Sequence, residues 1–332
     1  MKKVKNIGIL LILMMLIMLV FSGCSKESVD TSKINIVTSF YPMYIATANI
    51  VDDVEDVELR NLTAATTGCL HDYQLTTANM ITLSTADILV INGSGMEGFI
   101  EKAVSTYESL KVVDASKGII ENHNHIEDEN LNSNHEHDEK HEQNVIQKVD
   151  IEKIAEHNHN HNHGENAHIW VSISMHIEQV ENIKNELIKI NPENAEKYIK
   201  NANNYISKLE ELKKKMHESI DNVANKKIVT FHEAFEFFAE EFGLEIVSVI
   251  EREPGTYPSA GEVADIIDLV RSKEVKAIFV EPQYSRSAAD TIARETGVSV
   301  YTLDPIVTGE LNKNAYIELM NSNLEALKEA LK

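Results

Sequence analysis

The sequence predicts an α/β protein made of two βα lobes, each with a four-stranded parallel sheet, joined by one long rigid helix. Three observations predict it. Eight short runs rich in Val, Ile and Leu fall into two sets of four. Helix-length segments separate the runs within each set, the alternation that builds parallel sheets. Between the sets, residues 192–222 carry apolar positions every three or four residues, the period of an amphipathic helix.

In chain order, Lys2, Lys3 and Lys5 precede an apolar run from Ile7 to Phe21, which ends in Phe21-Ser22-Gly23-Cys24. A basic start, an apolar run too short to span a bilayer and small residues before a cysteine read as a lipoprotein signal peptide over residues 1–23. Cys24 is then the lipid-accepting residue, although Phe21 stands where such signals usually carry Leu. Residues 24–33 form a polar tether. The first lobe, residues 34–190, holds expected strands at 34–40, 57–63, 88–92 and 111–116. Each is nearly continuous in apolar residues, as in strands buried on both faces.

Residues 121–164 interrupt this lobe with His, Asn, Glu and Asp and hold nine of the fourteen histidines. Nothing in them can bury a core, so a long disordered loop is expected. The joining helix spans residues 191–222, with Asn191 as a cap and Pro192 in the first turn. Its apolar positions are Ala195, Tyr198, Ile199, Ala202, Tyr205, Ile206, Leu209, Leu212 and Met216. Roughly thirty residues at 1.5 Å each give a helix about 45 Å long, enough to run along both lobes. The second lobe, residues 223–332, has expected strands at 227–232, 244–250, 277–282 and 299–304.

The formal charge of −22, with no basic patch, argues against nucleic acid as a partner. It suits a cationic ligand as readily as simple solubility. With Cys24 lipidated, Cys69 is the one thiol left and no intrachain disulfide can form.

Four residues stand where a strand or short turn should hold them. His71 follows the second strand and a Gly turn, and His168 resumes ordered sequence after the His-rich loop. His232 closes the first strand of the second lobe, and Asp304 closes the last one. Ligands of open α/β sheets gather at the carboxyl ends of strands, and two such edges facing one another make a cleft. Singly, each His is most simply a hydrogen-bonding residue and Asp304 a turn residue before Pro305. Their convergence in a histidine-rich chain points to metal. Other residues have plainer readings: Glu281 orients a ligand or caps a turn, Cys69 is a buried inert thiol before it is a soft ligand, and Trp170 is core or cleft wall. His176 and His217 read as surface residues on helices, and Glu97 as structural.

The stretches His71-Asp72-Tyr73, Ala86 to Gly93, Ala167-His168-Ile169-Trp170, Phe231-His232-Glu233-Ala234-Phe235, Phe279 to Tyr284 and Thr302-Leu303-Asp304-Pro305 occur in a shared order. Together they resemble the substrate-binding proteins of zinc and manganese ABC importers, in particular the high-affinity zinc-uptake type, from about Ile34 to the C-terminus. The resemblance implies a monomer with no enzymatic activity, lipid-anchored on the outer face of the cell membrane. It would capture Zn²⁺ between its lobes as cargo and deliver it to an ABC permease. It further implies His71 and His168 as donors from the first lobe, and His232 and Asp304 from the second.

Three imidazoles and a carboxylate suit tetrahedral zinc, whereas manganese members carry a carboxylate where His232 stands. Some zinc members place an acid just before the first histidine, where this chain has Leu70, so the fourth donor is Asp304, then Glu310, then water. Within the loop, His123, His125, His135, His137, His141, His157, His159, His161 and His163 are candidate secondary weak sites. The competing classes are a manganese- or iron-binding homologue, a surface adhesin of the same fold and a zinc hydrolase. The hydrolase is disfavoured because the chain has no HExxH pair, no Gly-x-Ser-x-Gly elbow and no Gly-rich phosphate loop.

Overall fold

Four strands, β1 (Ile34–Thr38), β2 (Val57–Asn61), β3 (Ile88–Ile91) and β4 (Lys111–Asp114), pair in parallel in the order β2-β1-β3-β4. A second set, β5 (Lys227–Thr230), β6 (Glu245–Val249), β7 (Ala277–Val280) and β8 (Ser299–Thr302), repeats that order as β6-β5-β7-β8. This computed structural model describes residues 33–71, 73–120, 123, 166–250 and 257–332. The expected signal peptide, the tether with Cys24, Asp72 and all of the His-rich loop except His123 lie outside them.

All eight expected strands form, each ending earlier than the apolar runs do. Their last residues leave the ladder, and these include His232 and Asp304. The expectation of two buried faces holds for the central strands alone. β7 is buried throughout, whereas β4 and β8 are largely open to solvent. An edge strand has one neighbour, and its apolar side chains cover a single face.

Helices α1 (Tyr41–Ile50), α2 (Thr77–Ser84) and α3 (Glu101–Val104) connect the strands of the first sheet, and α4 (Ile173–Ile190) follows them. The joining segment is not one unbroken helix. Asn191 caps a short 3-10 turn, Pro192–Asn194, by accepting from the Asn194 amide, and α5 then runs over Ala195–Ile220. Its 26 residues span about 39 Å at 1.5 Å each. Tyr198, Ala202, Tyr205, Leu209, Leu212, Met216 and Ile220 form its buried stripe, while Ile199, expected inside, is 43% exposed.

The second lobe adds α6 (Glu236–Phe242), α7 (Ala260–Lys273), α8 (Ser287–Thr296) and α9 (Ala315–Ala330). α5 packs on α1 and α4 on one side and on α6 and α9 on the other. One apolar core runs through Ile36 and Val90 of the first sheet, Leu209 of α5 and Ile228 and Phe279 of the second sheet. Polar contacts reinforce it. The Glu241 carboxylate on α6 accepts from Ser172 Oγ at 2.9 Å, the Ile173 amide at 2.7 Å and the Ser174 amide at 3.0 Å. It places negative charge at the amino end of α4, where the helix dipole favours it. The Trp170 indole donates to the Pro305 carbonyl at 2.7 Å, and Tyr316 donates to the Trp170 carbonyl at 2.8 Å.

Candidate metal centre

In each sheet the chain reverses its direction of progress between the two central strands, and crevices open at the carboxyl ends of such strands. His232 lies two residues past β5 and caps the 3-10 turn Glu233–Phe235 with extended backbone. Glu281 follows β7 directly, at the same switch point. From the first lobe, His168 precedes the 3-10 turn Ile169–Val171, and His71 sits on the loop after β2.

These three histidines come together. The Nε2 atom of His168 stands 3.3 Å from His71 Nε2 and 3.2 Å from His232 Nε2. His168 and His232 are buried, and His71 is exposed on the rim. Asn166 Oδ1 lies 2.8 Å from His168 Nδ1 and also accepts the His168 amide at 3.0 Å. An acceptor at Nδ1 keeps the proton there and leaves the Nε2 lone pair facing the other imidazoles. Burial first, then the neighbouring His232 and His71, hold His168 well below the ordinary imidazole range, so it is neutral and ready to coordinate.

Asp304 sits differently. Its carboxylate accepts from the Ile306 amide at 2.7 Å, and its backbone is tied to Asn323 through two hydrogen bonds of 2.8 Å. Burial raises its carboxyl, and its charge acts on Glu281 and Tyr41. Its charge therefore reaches the Glu281 carboxyl just past β7. Glu310 is exposed, and its carbonyl accepts from Tyr41 at 2.9 Å. Of the candidate loop histidines only His123 is described, with Nε2 2.9 Å from the Glu178 carboxylate.

Two further residues stand near this cluster or against their sequence reading. Cys69, read as an inert thiol, has its Sγ 3.6 Å from His168 Nε2, and the ligand atoms of Cys69, His168 and His232 all lie within 4.8 Å of one another. His176, read as a surface residue, is fully buried. Its ring stacks on Tyr316 at 4.1 Å, its Nε2 lies 3.1 Å from the Tyr205 hydroxyl, and burial pushes it down to about 4. The signal was present: His176 follows Ile173 by three residues and precedes Val180 by four, on the buried stripe of α4. Gln179 on that stripe donates to Asn92 Oδ1 at 2.8 Å, and Asn92 donates to the Ala167 carbonyl at 2.9 Å. A polar chain thus braces the backbone beside His168. His217 is half-buried and pairs with Asp221 at 3.0 Å. Glu97 is structural as expected: it accepts from Ser39 Oγ and the Asn92 amide at 2.7 Å and from the Gly93 amide at 3.0 Å, and burial raises it to about 7.

The sequence profile of the family described as "Zinc-uptake complex component A periplasmic" matches residues 36–330. The chain belongs to this zinc-uptake family. Among curated relatives, it is 32% identical over 319 residues to the high-affinity zinc uptake system protein ZnuA of Bacillus subtilis, covering 93% of this chain and 92% of that one. It is 30% identical over 331 residues to the zinc-binding lipoprotein AdcA of Streptococcus pneumoniae, covering 98% of this chain but spanning 61% of that longer protein. Among solved structures, FpvC of Pseudomonas aeruginosa in complex with Mn²⁺ superposes with a TM-score of 0.70 at 27% identity, covering 90% of this chain and 98% of that one. The two-lobed α/β architecture is therefore a shared fold of metal-binding proteins.

Proposed function

We propose that this zinc-uptake family member captures Zn²⁺ outside the cytoplasm and hands it to an ABC permease, without catalysing a reaction on it. The observation that carries the reading is the convergence of His71, His168 and His232 through their Nε2 atoms, 3.3 Å and 3.2 Å apart, between the two lobes. Three imidazoles are borderline donors that zinc accepts readily, whereas manganese prefers a set richer in oxygen. The manganese-bound FpvC shares the fold, but the donor set of this chain favours zinc. Asp304 is the carboxylate nearest in role, a further donor or a negative charge beside the ion. Attachment to the outer face of the membrane through Cys24 is supported by the lipobox-like Ser22-Gly23-Cys24 and by the lipoprotein name of AdcA.

Competition titration with a chromophoric chelator tests this. Wild-type protein should bind one tight equivalent of Zn²⁺ in preference to Mn²⁺, and His232→Ala should bind it on the order of a hundredfold or more weakly, since even supporting residues of metal sites cost 10–100-fold. Wild-type affinity in that variant would refute the assignment. The His-rich segment is proposed to supply weaker sites that concentrate zinc near the cleft. Deleting residues 124–164 should remove weak equivalents in calorimetry and leave the tight one. Unchanged total stoichiometry would rule the loop out as a binder.

A further inference from the structure

We propose that Cys69 donates directly to the metal, making the cleft a site of three imidazoles and one thiolate. The inference rests on the zinc-binding reading above and deepens it. For a tetrahedral zinc with Zn–N near 2.0–2.1 Å and Zn–S near 2.3 Å, two nitrogen donors stand about 3.3 Å apart and a nitrogen and a sulfur about 3.6 Å apart. The three edges that radiate from His168 Nε2 have these lengths: 3.3 Å to His71, 3.2 Å to His232 and 3.6 Å to Cys69 Sγ. The thiol is grouped with His168 and His232 within 4.8 Å, and His71 completes the set from the exposed rim, where its ring has room to adjust.

A second observation points to a cation at the same place. Glu281 is 2% exposed and its Oε1 has no hydrogen-bond partner among the described residues, while Oε2 accepts from Gln283 at 3.3 Å. Its charge acts on the Cys69 thiol, and the charge of Asp304 acts in turn on Glu281. A carboxylate oxygen buried without a donor is costly, and a cation held by the adjacent thiolate and imidazoles offsets that cost. Asp304, whose carboxylate already accepts from Ile306, then acts as a neighbouring charge. On coordination the Cys69 thiol gives up its proton to the buffer, and the sulfur electron pair forms the bond to the metal.

Cobalt(II) is a suitable probe, because tetrahedral coordination gives visible d–d bands and a thiolate donor adds a near-ultraviolet sulfur-to-cobalt charge-transfer band. The full-length chain is titrated with Co²⁺ alongside Cys69→Ser and His232→Ala, with Cys24 kept in every protein. We expect the charge-transfer band with the first equivalent in wild type and its loss in Cys69→Ser, with visible bands retained. Zinc affinity of Cys69→Ser should fall at least about tenfold, the lower bound set by supporting residues of metal sites. Imidazole binding in the His-rich loop adds no sulfur band, so it does not confuse the result. Visible bands without a charge-transfer band, or a band unchanged in Cys69→Ser, would overturn the thiolate and leave the histidine site standing. First-equivalent binding unchanged in His232→Ala would instead overturn the cleft reading itself.

Discussion

His168 and His176 are eight residues apart, and both are neutral imidazoles for the same reason, burial, with different consequences. At His168 the lost proton frees a donor atom, and the ring stands among two further imidazoles. His168→Ala should therefore weaken zinc binding at least as much as His232→Ala, whereas Asp304→Ala should cost less; competition titration of the three variants checks the order. At His176 the lost proton is a stability term. Its folded value of about 4 lies below the ordinary 6.5, so between these values the unfolded chain binds a proton that the native state refuses. Stability should fall as pH drops through that window, by on the order of 3 kcal/mol once complete. Urea midpoints of wild type and His176→Gln at pH 7 and near pH 4.5 test the sign. A variant with the same pH dependence as wild type would refute it.

At the scale of elements, the turn after β3 shows how a strand end is held in place. Gly93 has φ +83°, and a Cβ there would meet Asp114 Oδ1 at 2.0 Å and Ser116 Oγ at 2.3 Å. The Asn92 and Gly93 amides both donate to Glu97, and the Asn92 side chain reaches the Ala167 carbonyl next to His168. Gly93→Ala combines a disfavoured backbone region with a clash and should cost about 2 kcal/mol or more in chemical denaturation. Glu97→Ala leaves two buried amides without acceptors and should cost about 2–4 kcal/mol. If this turn also sets the place of His168, both variants should lose zinc affinity although neither side chain touches the ion. Unchanged affinity in a folded Gly93→Ala protein would show that the turn serves stability alone.

Across the whole molecule, the two sheets share one core and are clamped by Glu241, Trp170 and Tyr316. A shared core of this kind unfolds cooperatively, so far-ultraviolet circular dichroism and tryptophan fluorescence should report one coincident transition. Two separated transitions would mean that the lobes are independent. Trp170 is the single tryptophan of the chain, and its ring centroid is 5.2 Å from that of His168. Its emission should change on zinc binding and the change should vanish in His168→Ala, which stopped-flow or steady-state fluorescence can follow. Zinc at a hundredfold excess over its dissociation constant should add about 2.7 kcal/mol to stability by mass action.

The sequence by itself determined the number of strands, their parallel alternation, the amphipathic helix between them and the three histidines that come together. These are properties of local pattern: β-branched runs make strands, a period of three to four makes a helix, and His71, His168 and His232 each stand in a turn or loop between elements. It also carried the zinc-uptake resemblance, through motifs that remain contiguous in the chain. What lies across space was settled by the tertiary structure alone. The outer strands expose a face because they stand at sheet edges, which no run of valines reveals. His176 is buried because α4 packs between α1 and α5, so that Tyr205 and Tyr316 close over it. Cys69 sits 3.6 Å from His168 although 99 residues separate them, and the Asp304 carboxylate accepts from the Ile306 amide. Spacing along the chain places a residue at the end of a strand, whereas a donor set is a matter of a few tenths of an ångström between side chains on different lobes, fixed only when the shared core brings those lobes together.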